Sequence, residues 1–257
     1  MIGKNGKNSI IYSAIGLLFV FLLWFLLYFV AANNYIVPSP LLVIKESFYS
    51  LLNGEFYAHL LGTVLRVFIA LLISLVLGTA LSLISHLYKE VESVLIPIIS
   101  ITRSLPVLAV LLIILIIAPR GVAPIIVCIL SILPIIYSQT LNYLNSIDLK
   151  TKQMLSVYNV PLKKQVIKVY LKGYSPLFIK ETTSLFSFSL KLVVSAEILA
   201  SVYKSIGGDI SNASIYSNVT QLFSLTLIVC LIGIAVELIG NLVSNKMEKK
   251  YKWKFKV

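Results

Sequence analysis

KTKQMLSVYNVPLKKQVIKVYLKG, Lys150 to Gly173, holds six lysines and no acidic residue, in a chain of 257 residues that is 58% hydrophobic and only 12% charged. Soluble domains run nearer half apolar and a quarter charged. A mean hydropathy of +0.95 is that of a chain solvated by lipid. Apolar runs flank the basic stretch, Val122 to Leu141 before it and Leu177 to Tyr203 after it. Each has the roughly 20 residues a helix needs to cross the hydrocarbon layer. The stretch is therefore a basic loop between two membrane spans. The whole chain reads as an all-α, polytopic membrane helical bundle, a single transmembrane domain over 1–257 with no separate soluble domain.

Outward from that loop the same criterion gives six transmembrane helices. An N-terminal anchor helix over 10–32 follows Lys4 and Lys7. A signal peptide also starts basic, but its apolar core is only about 7–15 residues, shorter than this run. Val37-Pro38-Ser39-Pro40 interrupts the helix and favours extended backbone, and Leu41 to Asn53 then reads as a short amphipathic helix. Leu60 to Ser85 is the second span, and Val94 to Ala118 the third, interrupted by Arg103 and kinked at Pro106. The fourth and fifth flank the basic loop, and Gln221 to Ser244 is the sixth, reached through a Gly/Ser/Asn-rich loop from Lys204 to Thr220.

The formal charge of +12 is distributed by side. With the N-terminus inside, Lys4, Lys7, Lys89, the six loop lysines and Lys246 to Lys256 share one face. The other keeps Lys45, Arg120 and Lys204, with Arg66 near its edge. Excess Lys and Arg mark the cytoplasmic side, so both termini and the basic loop are expected there. The charge is a topology signal and gives no reason to expect nucleic acid as a partner. Cys128 and Cys230 lie inside apolar runs without metal-ligand spacing and read as small hydrophobes.

The loop has local grammar. Asp148 is placed to cap a short helix, in which Met154, Leu155 and Tyr158 share a face by their spacing. Asn159 tolerates the left-handed conformation that ends a helix. Pro161 suits the first turn of a second helix, which Gly173 and Pro176 are expected to end before the fifth span. Two readings fit this segment: a surface resting on anionic headgroups, or a short helix docking into a groove on a cytoplasmic protein.

Ionisable residues within spans are costly and point to function. Arg103 either lines a pathway or satisfies carbonyls freed at Pro106. In the fifth span Ser184, Ser187, Lys191 and Ser195 form a stripe at steps of three and four, which suits a cavity lining or serine-mediated helix packing. The lysine favours the cavity and an anionic solute. Glu197 lies about 120° around the helix from Lys191, so the two are not expected to pair, and Glu237 in the sixth span is a candidate partner on another helix. Lys180 and Glu181 read as snorkelling and dipole residues.

With these residues in view, the chain resembles the nitrate/sulfonate/taurine-type permeases of bacterial ABC importers, the binding-protein-dependent transport inner membrane components. The loop is similar to their E-A-A-x-x-x-G loop with its later I-x-L-P. Gln153, Met154 and Leu155 fall where E-A-A stands, Asn159 where the glycine stands, and Val169 to Lys172 where I-x-L-P stands. Gln for Glu loses a charge, Asn for Gly preserves left-handed geometry, and Lys172 for Pro loses a rigid turn, so this is a degenerate version. VPSP, TVLRVFIA (Thr63 to Ala70), Gly78, RSLP (Arg103 to Pro106), SAEIL (Ser195 to Leu199), Gly207-Gly208 and the terminal VELIGNLVSNKMEKKYKW extend the resemblance in order. The family-like core covers about 55–250.

The resemblance implies a permease subunit of the bacterial inner membrane, working as a homodimer with a second permease copy. Two cytoplasmic ATP-binding subunits and an extracytoplasmic substrate-binding protein would complete it. It makes 148–173 the ATPase-coupling loop, with Gln153, Met154, Leu155, Tyr158, Asn159 and Pro161 as contacts. Arg103, Ser187, Lys191, Ser195 and Glu197 are the pathway candidates for a small polar or anionic solute, sulfonate-, nitrate- or taurine-like or a vitamin precursor. In the residues themselves no G-x-x-x-x-G-K-[ST] occurs and neither histidine has a ligand partner in sequence. ATP hydrolysis is expected on another chain, and no cofactor or metal is expected on this one. A secondary transporter would carry matching broken helices in two halves, and a scaffold would keep the loop only to hold a partner; these are the rival readings.

Overall fold

The structure is a computed structural model and describes residues 5–252. It is all-helical in architecture, with helices α1 (Asn5–Ala31), α2 (Pro40–Leu52), α3 (Gly54–Leu87), α4 (Lys89–Ser104), α5 (Val107–Ile117) and α6 (Ala123–Asn145). There follow α7 (Leu149–Val157), α8 (Leu162–Lys164), a π-helical stretch Gln165–Leu171, α9 (Lys172–Ala200), α10 (Ile206–Ile215) and α11 (Val219–Lys252). Within the described residues the chain divides into two compact units, drawn from Met1–Tyr57 with Asp209–Ile228 and from Ala58–Gly208 with Val229–Val257.

In the first unit α1 is apolar on every side over Leu18–Ala31. The consecutive residues Leu18, Phe19 and Val20 are all more than half exposed, which suits a helix surrounded by lipid. Its described apolar stretch, Leu18–Ala31, is shorter than a full crossing. In the first half of the expected anchor over 10–32, the side chains of Ile10, Ile11, Ser13, Ala14 and Leu17 lie outside the described ones. The prolines after it do two jobs: Ser39 accepts from Leu42 N at 3.3 Å as N-cap, and Pro40 occupies the first turn. Val43 and Ser47 form the buried stripe of α2, and Ser47 Oγ donates to Val43 O at 2.8 Å.

In the second unit α4, α5 and α9 all pack against α6. Half of the span windows of α6 and α9 is buried, against 33% for α3, which makes the α6–α9 pair the inner element. Among the described residues four helices are long and apolar enough to cross a membrane: α3, α6, α9 (from Leu177) and α11. The expected third span is not a kinked helix. It is two helices that meet at 95° across Leu105 and Pro106. Proline at the break removes a backbone donor and forbids the preceding residue from helical geometry. Packing of Leu111 with Ala123, Val127 and Ala196 then holds α5 on α6 and α9.

The contacts of α3 show what this bent pair does. About a third of the way along α3, Arg66 Nε donates to Gly121 O at 3.2 Å. Near its C-terminal end His86 Nδ1 lies 2.9 Å from Asn145 Oδ1. About 20 residues of helix separate these contacts, or about 30 Å, the depth of the hydrocarbon layer. The α4–α5 pair carries the chain from the His86 level of α3 back to the Arg66 level, a displacement that fits one broken crossing better than a re-entrant loop. It also puts Gly121 on the side opposite the basic loop.

Two further expectations change. The loop from 204 to 220 contains a helix, α10, despite its Gly/Ser/Asn composition. The second helix of the basic loop does not end at Gly173 and Pro176; the π-helical stretch runs directly into α9, whose first residues include both. A π turn inserts one extra residue without breaking the backbone ladder.

Candidate functional site

The basic loop is built on a small buried foundation. Leu144 from the end of α6, Leu155 from α7 and Tyr170 from the π-helical stretch are each nearly inaccessible and pack together, with Leu83, Val160 and Val166 around them. Asp148 caps α7 by accepting from Lys150 N at 3.4 Å. Asn159 turns the chain at a φ of 46°, where Asn is among the few residues accommodated at low cost. Pro161 stands at the N-cap of α8. Gln165 ties the turn down, donating from Nε2 to Val160 O at 2.7 Å and accepting from Tyr170 Oη at 3.3 Å. Tyr170 in turn meets the His86 ring edge-on, centroids 5.6 Å apart.

This foundation separates residues expected on one face. Leu155 is 5% exposed, whereas Met154 is 52%, Val157 77% and Tyr158 75% exposed. The three expected residues span about 100° of arc, enough for the edge of the packed face to fall between them. Gln153, Asn159 and Pro161 are also exposed. The outward surface of α7 is thus an apolar tip, Met154, Val157 and Tyr158, with exposed Lys150, Lys163 and Lys164 nearby in sequence.

Where the loop enters α9, Tyr174 is 4% exposed and stacks on Tyr143 of α6 with centroids 4.6 Å apart. Its hydroxyl accepts from Thr140 Oγ1 at 3.4 Å and donates to Glu181 Oε2. Glu181 is therefore part of the α6–α9 joint, beyond the helix-dipole role expected for it.

The polar stripe of α9 is also divided. Ser187 is buried and donates to Gly233 O of α11 at 2.7 Å, a packing bond. Ser184, Lys191 and Ser195 are exposed, and Lys191 forms no ion pair among the described residues. Arg103, in the last turn of α4, is exposed as well.

Glu197 is different in kind. It is 0% exposed and accepts from Thr63 Oγ1 at 2.9 Å, Arg66 Nη1 at 2.9 Å and Gly207 N at 3.1 Å. Thr63 Oγ1 also accepts from Ile206 N at 3.0 Å. The first amides of α10 are thereby satisfied by side chains of α3 and α9, which explains why a glycine-rich stretch is helical there. Gly207 is required by close approach: a Cβ would collide with Glu197 Cβ and lie 2.7 Å from Val194 O. The expected partner Glu237 plays no part in this cluster. Sequence reasoning assigned Arg66 to the outer edge and missed Thr63; the available signal was a second ionisable residue of opposite sign inside a span.

This geometry joins a lysine-flanked apolar tip at one end of a lipid-facing helical bundle to a buried ion pair at the other. Residues 70–250 match the family described as binding-protein-dependent transport system inner membrane component. A protein of Bacillus subtilis (strain 168) that carries the name of an aliphatic sulfonates transport permease, SsuC, is 26% identical over 216 residues, 83% of this chain and 78% of that one. A chain from the crystal structure of an amino acid ABC transporter with histidines superposes with a TM-score of 0.60 at 16% identity, over 76% of this chain and 94% of the other; at that identity the likeness speaks to fold alone. The chain belongs to the family of binding-protein-dependent transport system inner membrane components and is an ABC transporter permease subunit.

Proposed function

We propose that this permease subunit forms the translocation path of an ATP-driven importer for a small anionic solute, with the loop 148–173 as its coupling element. The observation that carries the reading is the division within α7. Leu155 is held in the foundation with Leu144 and Tyr170, while Met154, Val157 and Tyr158 stand out from it. A short helix rigidly based and apolar at its tip suits a groove on a partner protein. A loop merely resting on headgroups has no need of the buried base.

In this reading the docking residues are Gln153, Met154, Tyr158, Asn159 and Pro161, with Leu155 beneath them. The partners are two cytoplasmic ATP-binding subunits, an extracytoplasmic substrate-binding protein and a second permease copy. The whole chain acts as one transmembrane permease domain with both termini in the cytoplasm, and ATP is hydrolysed on the separate subunits. Closure of the ATPases moves the loop, and the helices rigidly attached to it tilt to alternate access. Lys191 and Ser195, exposed on one face of α9, and Arg103 line the route where the second copy would enclose water. A lysine at that depth is stable beside water or an anion and costly against lipid. The relative named for aliphatic sulfonates supports a sulfonate-like cargo.

The test is uptake of a labelled alkanesulfonate into vesicles reconstituted with the permease, its ATPase and its binding protein. ATP-dependent uptake that disappears, together with copurification of the ATPase, in Tyr158→Asp and Met154→Asp supports the proposal. Uptake that persists without ATPase, or variants that retain it normally, contradicts it.

A further inference from the structure

Glu197 of α9 accepts three hydrogen bonds while fully buried, two from α3 (Thr63 and Arg66) and one from α10 (Gly207). Arg66 extends the cluster to Gly121, ahead of α6. Every acceptor contact of the carboxylate points into protein, so it offers no surface to a passing solute. Separating these groups would leave a carboxylate and a guanidinium unpaired at the edge of hydrocarbon, which is strongly unfavourable. Nor can the elements slide past one another, because the backbone of α10 at Gly207 already touches α9 more closely than any side chain permits.

We infer that Thr63, Arg66, Glu197 and Gly207 form a permanent clamp that stays closed through the transport cycle, joining α3 at the level of Gly121, the C-terminal end of α9 and the first turn of α10 into one block. These are positioning residues for transport, not pathway residues. They make tilting of α9, driven from the loop, the same motion as displacement of the extracytoplasmic mouth. Bending must then occur elsewhere, and the 95° break at Leu105–Pro106 is the interruption the framework provides. The inference rests on the transport reading above.

Cysteines at Thr63→Cys and Ile206→Cys, in a Cys128→Ser, Cys230→Ser background, test it in vesicles holding the complete transporter. With a membrane-permeant oxidant the pair is expected to crosslink equally in the resting state and in the vanadate-trapped state. Uptake after oxidation should stay within about twofold of the reduced sample, whereas a joint that opens should lose about tenfold or more on oxidation and recover with reductant. Crosslinking in only one of the two states would also overturn the clamp. A parallel readout uses Glu197→Gln: uptake should fall about tenfold while basal ATPase rate and ATPase copurification stay within about twofold. Parallel loss of all three would mean a purely structural role, and no change in any would mean no role; either overturns the positioning assignment. If the parent transports nothing, the transport reading fails, and the clamp is still judged by equal crosslinking in resting and vanadate-treated samples.

Discussion

Gly207 sits where a side chain does not fit, and Gly233 where one does. A Cβ at 207 would collide with Glu197, whereas at 233 it would meet Ser187 at an ordinary 3.6 Å. Gly207→Ala is therefore expected to destabilise the protein by about 1–3 kcal/mol through overpacking, and Gly233→Ala to change it by less than about 0.5 kcal/mol. Thermal unfolding of the two variants in detergent checks this, and equal Tm values would remove the close approach from the account. Sequence reading flagged Gly207 and Glu197 separately and could not join them. The pairing of Arg66 with Glu197 crosses 131 positions and depends on which faces of α3 and α9 meet, which composition and periodicity do not encode. Asp148 and Asn159, by contrast, were legible because capping and left-handed geometry are decided by the residue and its immediate neighbours.

At the scale of the element, α7 is expected to respond differently to substitution beneath it and on top of it. Leu155→Ala removes a buried anchor and should cost about 2–5 kcal/mol of local stability, seen as faster proteolysis of the loop. Tyr158→Asp should leave proteolysis unchanged and abolish ATPase retention. The reverse pattern would put the docking surface on the wrong side of the helix. Asn159→Val places a β-branched residue at a φ of 46° and should open the turn, while Asn159→Gly should be tolerated; limited proteolysis of both reports the difference. The long spans were legible because lipid demands an uninterrupted apolar run. The bend between α4 and α5 was visible only as a proline, since its size is set by packing of Leu111 against α6 and α9. Helix α10 was missed because its glycines speak against helix, and the side chains that hold its first turn come from elsewhere in the chain.

For the whole molecule, the bent pair decides the parity of crossings. Because α4 and α5 together traverse the depth marked by Arg66 and His86, the basic loop lies opposite the Glu197 cluster; in the proposed topology the lysine-rich side is the cytoplasmic one. Charge asymmetry alone carries the expectation that the loop is cytoplasmic; the side-chain contacts along α3 place the loop and the Glu197 cluster at opposite levels of that helix. The cargo was barely legible: Lys191 and Ser195 are exposed on α9, and in the proposed reading they become a lining only where a second copy covers them. The most direct measurement is labelling of Val157→Cys, 77% exposed at the loop tip, by a membrane-impermeant maleimide in a Cys128→Ser, Cys230→Ser background. The account predicts no labelling in intact cells, full labelling once the cytoplasmic face is opened, and protection when the ATPase subunit is coexpressed. Labelling from outside, or labelling that the ATPase leaves unchanged, would contradict it.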